Sequence, residues 1–173
     1  MNIVLIGYRG TGKTVISKLL AEQLGRDLYS IDGLIVEAEG MPVPRIVEDK
    51  GWARFREVES RVVKQVSREA RDGVIDCGGG VILDDGNTAR LKQGGKIVLL
   101  TAGLETLLKR IRHDANRPPL KEGLSFEDEQ RQILAEREEK YTAAADITCD
   151  TSIKKPEETA REIIGRFKQE SWL

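Results

Sequence analysis

Cysteine, histidine and proline are scarce in this 173-residue chain, at two, one and five residues. Cys77 and Cys149 are too few for a disulfide framework and lack metal-ligand spacing. Each lies in a strand-like run, so buried free thiols are expected. The lone histidine, His113, falls in a polar stretch and reads as a surface residue before it reads as a catalytic base. No apolar run approaches the ~20 residues of a membrane span, and the first residues enter a strand without a signal peptide. A cytoplasmic address with no membrane partner is therefore expected. Net charge is −1, so no basic field argues for nucleic acid. Internal repeats and low-complexity segments are absent too. What remains is 39% hydrophobic and 33% charged, ordinary globular composition, and the length fits one domain over residues 1–173 with a sizeable core.

The chain is organised around Gly7-Tyr8-Arg9-Gly10-Thr11-Gly12-Lys13-Thr14, which fits the phosphate-loop pattern G-x-x-x-x-G-K-[ST] at every fixed position. Residues 2–6 (NIVLI) have the composition of a strand buried on both faces. Behind the loop, Val15, Ile16, Leu19, Leu20 and Leu24 recur at helical spacing, and Gly25 is placed to end that helix. Strand, glycine turn and helix are what the motif requires. Inward-turned backbone N–H groups cradle a polyphosphate, and the helix N-terminus adds roughly half a positive charge. Gly10, Thr11, Gly12, Lys13, Thr14 and Val15 are thus expected to bind ATP, with Lys13 on the β- and γ-phosphates and the Thr14 hydroxyl on Mg²⁺.

Further along, residues 28–31 read as a short strand ending at Asp32, followed by a helix from Gly33 to Glu39. Pro42 and Pro44 permit a new helical turn. From Trp52 to about Arg71 the pattern is helical, with Phe55, Val58, Val62, Val63 and Val66 on one stripe. Residues 73–77 read as a strand running into Gly78-Gly79-Gly80, and Asp84 to Gln93 as a helix closed by Gly94-Gly95. Residues 96–100 (KIVLL) are a buried strand, with a helix carrying Leu104, Leu107, Leu108 and Ile111 behind it. His113 to Gly123 has two prolines and no period, which predicts a loop. Ser125 with Asp128 resembles a capping box opening a charged helix to about Tyr141. Residues 146–149 form a last strand, and Pro156 opens a C-terminal helix turning Ile163, Ile164 and Phe167 inward. Five strands separated by helices predict a three-layer α/β/α fold on a parallel sheet, with ligands at the carboxyl ends of the strands.

Phosphoryl transfer depends on positioning and charge neutralisation. Asp32 can accept a proton from a substrate hydroxyl or can simply cap a helix. Arg56 lies one step from the apolar stripe and reads equally as a solvated charge. Three glycines at 78–80 permit close approach to a ligand, although a flexible turn has the same composition. Arg117, ahead of Pro118-Pro119, suits a lid that closes over the transferring group. Arg137, among Arg131, Glu136, Glu138 and Glu139, reads by itself as part of a solvated face.

These residues together resemble one family, the shikimate kinases, small phosphate-loop enzymes of the nucleoside-monophosphate-kinase fold. The resemblance runs over nearly the whole chain, through GYRGTGKT, Asp32, FREVE at 55–59, GGG at 78–80, NRPPL at 116–120 and REEKY at 137–141. It implies that Asp32, Arg56, Gly78, Gly79, Gly80 and Arg137 hold shikimate, the two arginines on its carboxylate. It implies a substrate region over about 32–60 and a lid over about 112–124 carrying Arg117. Arg110 and Lys154 match the segments that sandwich adenine. One departure stands out. The family usually has Asp-x-Asp after the second strand, where this chain reads Ser30-Ile31-Asp32, while Asp76 ends the third strand where a small neutral residue is more usual. Asp76 is therefore expected to join Thr14 on the metal; the alternative is an incidental polar residue.

The resulting expectation is a monomeric, ATP- and Mg²⁺-dependent kinase that phosphorylates the 3-hydroxyl of shikimate, with Asp32, Lys13 and Arg117 as its catalytic residues. Two rivals stand beside it. One is a kinase for another small polyol or sugar acid, such as gluconate, and the other is a nucleotide-binding regulator without turnover.

Overall fold

In the computed structural model, residues 1–112, 120–121 and 123–173 are described. Five parallel strands lie in the order β2-β3-β1-β4-β5: β1 Asn2–Gly7, β2 Leu28–Ser30, β3 Val74–Asp76, β4 Gly95–Thr101 and β5 Ile147–Asp150. Strand β1 is buried at every residue because β3 and β4 flank it and helices cover both faces. Its alternate residues divide the core. Val4 and Ile6 join one cluster with Ile75, Ile97 and Leu99; Ile3 and Leu5 join the other with Val74, Val98 and Leu100.

Helices α1 (Lys13–Leu24) and α7 (Pro156–Gln169) seal the second cluster through Ile16, Leu20, Ile163 and Phe167. The first cluster lies under α2 (Ile31–Glu39), α3 (Val43–Glu69), α4 (Asp85–Gly94), α5 (Leu104–Ile111) and α6 (Phe126–Ala144). Each fully buried Val, Leu or Ile there stabilises the fold by roughly 1.5–3 kcal/mol. No helix among the described residues is long and apolar enough to cross a membrane.

Several boundaries differ from the sequence reading, each for a local reason. Strand β2 stops at Ser30, and helix α2 starts at Ile31, so Asp32 sits in the first helical turn and not at a strand end. The cap is Ser30, whose Oγ accepts the Gly33 N–H at 3.2 Å, which displaces Asp32 from that role. The two helical pieces expected after Pro42 and from Trp52 are both present and meet end to end in α3 at a kink on Gly51, whose backbone is not helical (φ 81°, ψ 166°). Val15 is 52% exposed, because Ser17 and Ala21 complete the inward face of α1 with Ile16 and Leu20. Gly95 stops α4 as expected and also opens β4, one residue ahead of the expected strand start, and a 3-10 turn over Val81–Leu83 was not foreseen. At α6 only half the capping box forms: Ser125 Oγ accepts the Asp128 N–H, and the Asp128 carboxylate takes the Ser125 hydroxyl instead of its backbone. Both thiols are buried as expected, and burial pushes Cys77 well up and Cys149 to about 11.

Candidate active site

The loop between β1 and α1 turns on Gly10 (φ 81°) and Gly12 (φ 92°), conformations that a side chain would strain. Gly12 caps α1 without a side chain, leaving the helix N-terminus open to a cavity of about 260 Å³. Gly10, Gly12, Lys13, Thr14 and Val15 line that cavity together with Ser30, Asp32 and Asp76. The Lys13 ammonium donates to the carbonyls of Gly7 (2.8 Å) and Tyr8 (3.0 Å), and the Thr11 hydroxyl donates to Tyr8 O at 2.7 Å. The Thr14 hydroxyl donates to Asp76 Oδ2 at 2.9 Å. That bond exists because β3 lies directly against β1, with Asp76 in register with Leu5.

Beside this cavity lies a second, tighter one. It is lined by Trp52, Phe55, Arg56 and Glu59 of α3, the three glycines at 78–80, and Arg137 of α6. Its free room is about 40 Å³, against about 260 Å³ in the first cavity. Arg56 Nη1 donates to Glu59 Oε2 at 2.8 Å, one helical turn on, while its guanidinium lies over the rings of Trp52 (5.4 Å) and Phe55 (5.2 Å). Arg137 is 8% exposed, which overturns its reading as a solvated helical charge. Its Nη1 donates to Gly79 O at 3.1 Å, and the Tyr141 hydroxyl donates to the same carbonyl.

The glycine run is a steric requirement at two of its three positions, Gly78 and Gly80. A Cβ on Gly78 would lie 2.7 Å from Asp32 Oδ1 and 3.2 Å from Glu59 Oε1. One on Gly80 would overlap both terminal nitrogens of Arg56, and Gly79 presents the carbonyl just described. Close approach was expected toward a ligand; here it is toward the charged groups that shape the pocket. Asp32 and Arg9 line both cavities, so the two spaces meet at these side chains.

Electrostatics set Glu59 apart. Its side chain is 1% exposed, and burial raises its carboxyl above the ordinary glutamate range, with Asp32 adding to the rise and Arg56 opposing it. Oε1 has no hydrogen-bond partner among the described residues. Glu59 was quoted in FREVE without a role. The signal was there, since position 59 falls on the stripe of Phe55, Val58, Val62 and Val63, where a charge is out of place. Tyr141 was missed in the same way; burial pushes its phenol up to about 12.

On the far side, Arg110 donates to Gly10 O (3.1 Å), Thr151 Oγ1 (3.1 Å) and Thr151 O (2.6 Å), and the Thr151 hydroxyl lies 3.0 Å from Thr11 O. The loop is thus braced from β5 and α5, a role for Thr151 that no motif announces. Lys154 pairs with Glu162 at 2.6 Å beside it. A buried chain runs from the Tyr8 hydroxyl to Gln130 (2.6 Å), on to Glu129 (2.9 Å), and to the backbone N–H groups of Leu120 and Lys121. Arg117 and most of the expected lid at 112–124 lie outside the described residues. No group of three or more metal-ligating His, Cys, Asp or Glu side chains occurs among the described residues.

One family profile, described as Shikimate kinase, matches residues 9–168. The shikimate kinase of Thermodesulfovibrio yellowstonii is 39% identical over 97% of this chain and 95% of its own length. That of Moorella thermoacetica is 41% identical over 99% and 96%. Among solved structures, shikimate kinase from Acinetobacter baumannii in complex with shikimate superposes with a TM-score of 0.91 at 32% identity, covering 98% of this chain and 93% of that one.

Proposed function

The chain belongs to the shikimate kinase family, and on that premise we propose how its two cavities divide the work of phosphorylating the 3-hydroxyl of shikimate with ATP. The observation that carries the reading is the position of Asp32, the carboxylate shared by both spaces. A hydroxyl held in the tighter pocket faces the phosphate cavity across that side chain. Asp32 orients the hydroxyl and takes its proton as the oxygen attacks the γ-phosphorus in line, while the bond from that phosphorus to the β,γ-bridging oxygen breaks and ADP leaves. Proton transfer of this kind contributes typically ~10²–10⁴-fold.

Arg56 and Arg137 hold the substrate carboxylate, Arg56 oriented by Glu59 and the two aromatic rings, Arg137 by Gly79 O. Lys13 leaves its two loop carbonyls for the β- and γ-phosphates, which the amides of residues 10–15 also receive. Arg110 and Lys154 flank the adenine side, and Arg117 takes the lid position that the family resemblance gives it. Mg²⁺, when bound, neutralises charge on the transferring phosphoryl group. The residues present fit that ion. Thr14 offers a hydroxyl beside a buried carboxylate, and an ion that keeps several waters and takes phosphate oxygens needs few protein ligands. Both cavities are lined by one chain, so a monomer suffices.

The test is Asp32→Asn. Turnover should fall by roughly two orders of magnitude or more while shikimate still binds. An unchanged turnover would remove Asp32 from the reaction.

A further inference from the structure

The phosphate cavity carries two carboxylates, and the geometry separates them. Asp32 stands toward Gly78 and Glu59, on the side of the tighter pocket. Asp76 stands toward the phosphate loop, its Oδ2 accepting the Thr14 hydroxyl at 2.9 Å. Asp76 is only 7% exposed at the end of a buried strand, a costly place for a carboxylate that serves nothing. Across β2 and β3 its register partner is Ser30. The Ser30 hydroxyl is engaged in capping α2, and adjacent strands lie about 4.8 Å apart, so positions 30 and 76 are alternative footholds on one wall of the cavity.

We propose that Asp76 is the metal-side carboxylate of this enzyme. It orients the water shell of the divalent ion held at Thr14, and it does so from β3 instead of from position 30 on the neighbouring strand. Asp32 is then left to the substrate hydroxyl alone. In the free protein the Thr14–Asp76 hydrogen bond keeps both groups where the ion needs them, and the hydroxyl turns its lone pair to the ion when metal and nucleotide arrive. The inference deepens the kinase reading and rests on it.

The test uses Mn²⁺ as a paramagnetic probe, titrated into the protein with ADP and followed by electron paramagnetic resonance. ADP affinity without metal is measured alongside by calorimetry. Asp76→Asn should weaken Mn²⁺ binding by ~10–100-fold, the usual effect of losing a group that orients a metal's ligands. Metal-free ADP affinity should hold or rise, because a negative charge near the phosphates has gone. Ser30→Asp added to Asp76→Asn should recover at least part of the Mn²⁺ affinity, since aspartate also caps helices and restores a carboxylate across the register. Circular dichroism checks folding, and Asp76→Ser replaces the amide variant if that one is unfolded. An Mn²⁺ affinity unmoved by loss of the carboxylate would overturn the proposal. So would metal-free ADP binding weakened as much as metal binding, which marks a structural role, or a double variant no better than the single. Failure of the parent protein to bind Mn²⁺ with ADP would instead sink the kinase reading on which the proposal rests.

Discussion

The phosphate cavity and the substrate pocket meet at Asp32 and Arg9, yet they are held by different physics. The first comes largely from one eight-residue run whose backbone geometry is fixed by glycines and by bonds to its own carbonyls. The second is drawn from α2, α3, the Gly78–Gly80 turn and α6, and is held by charged side chains wedged against glycine. A site made of backbone tolerates change around it and fails only when its few reacting groups go. A site made of side chains from distant segments depends on each of them for affinity. The two halves should therefore respond differently to substitution.

The largest effect belongs to the phosphate side. Lys13→Ala removes the charge that the proposed mechanism brings to the transferring group, and kcat should drop ~10²–10³-fold with shikimate affinity little changed. Steady-state kinetics with both substrates varied checks this, and a loss confined to the shikimate KM would break the comparison.

Next come the arginines. Arg56→Lys or Arg137→Lys keeps charge but loses the fork, worth ~1.5–3 kcal/mol, or roughly 10–100-fold in the shikimate KM. The ATP KM should stay nearly constant. Gly80→Ala, which pushes the Arg56 guanidinium aside, should show the same signature. Equal weakening of both substrates would mean the pocket is not separable from the phosphate side.

A smaller effect tests the bracing of the loop. Thr151→Val deletes a hydroxyl near Thr11 O, Thr101 O and Arg110, worth about 1 kcal/mol. The ATP KM should rise about fivefold and the shikimate KM should not move.

The smallest effect is thermal. Because burial raises the Glu59 pKa, the folded chain holds that proton more tightly than the unfolded chain does. The associated stability is complete below the ordinary glutamate range and is lost as pH rises through the raised value. Glu59→Gln escapes that loss, so the Tm of the variant relative to the parent should climb by a few degrees across that window. A relative Tm that falls instead would show that the Arg56 pair outweighs burial.

The same contrast explains how much could be read from the sequence. The phosphate loop was legible because its motif is contiguous and its flanking strand and helix have clean periods. The parallel sheet followed from five strand-like runs separated by helical ones, with the buried runs at β1 and β4 the clearest. Strand β2 has only three residues at the sheet edge, too few for a period to fix its end, so Asp32 was placed one element early. Arg137 was unreadable by itself, since its burial comes from the Gly79 carbonyl 58 residues away. Glu59 could have been found, because an acid on an apolar helix stripe demands a partner.

The central claim is that the pocket beside the phosphate loop selects shikimate. Its most direct test is ADP formation from ATP and Mg²⁺ with shikimate, with gluconate, and with neither. The account predicts turnover with shikimate and only background with gluconate or no acceptor. Equal rates in all three, or a preference for gluconate, would contradict it.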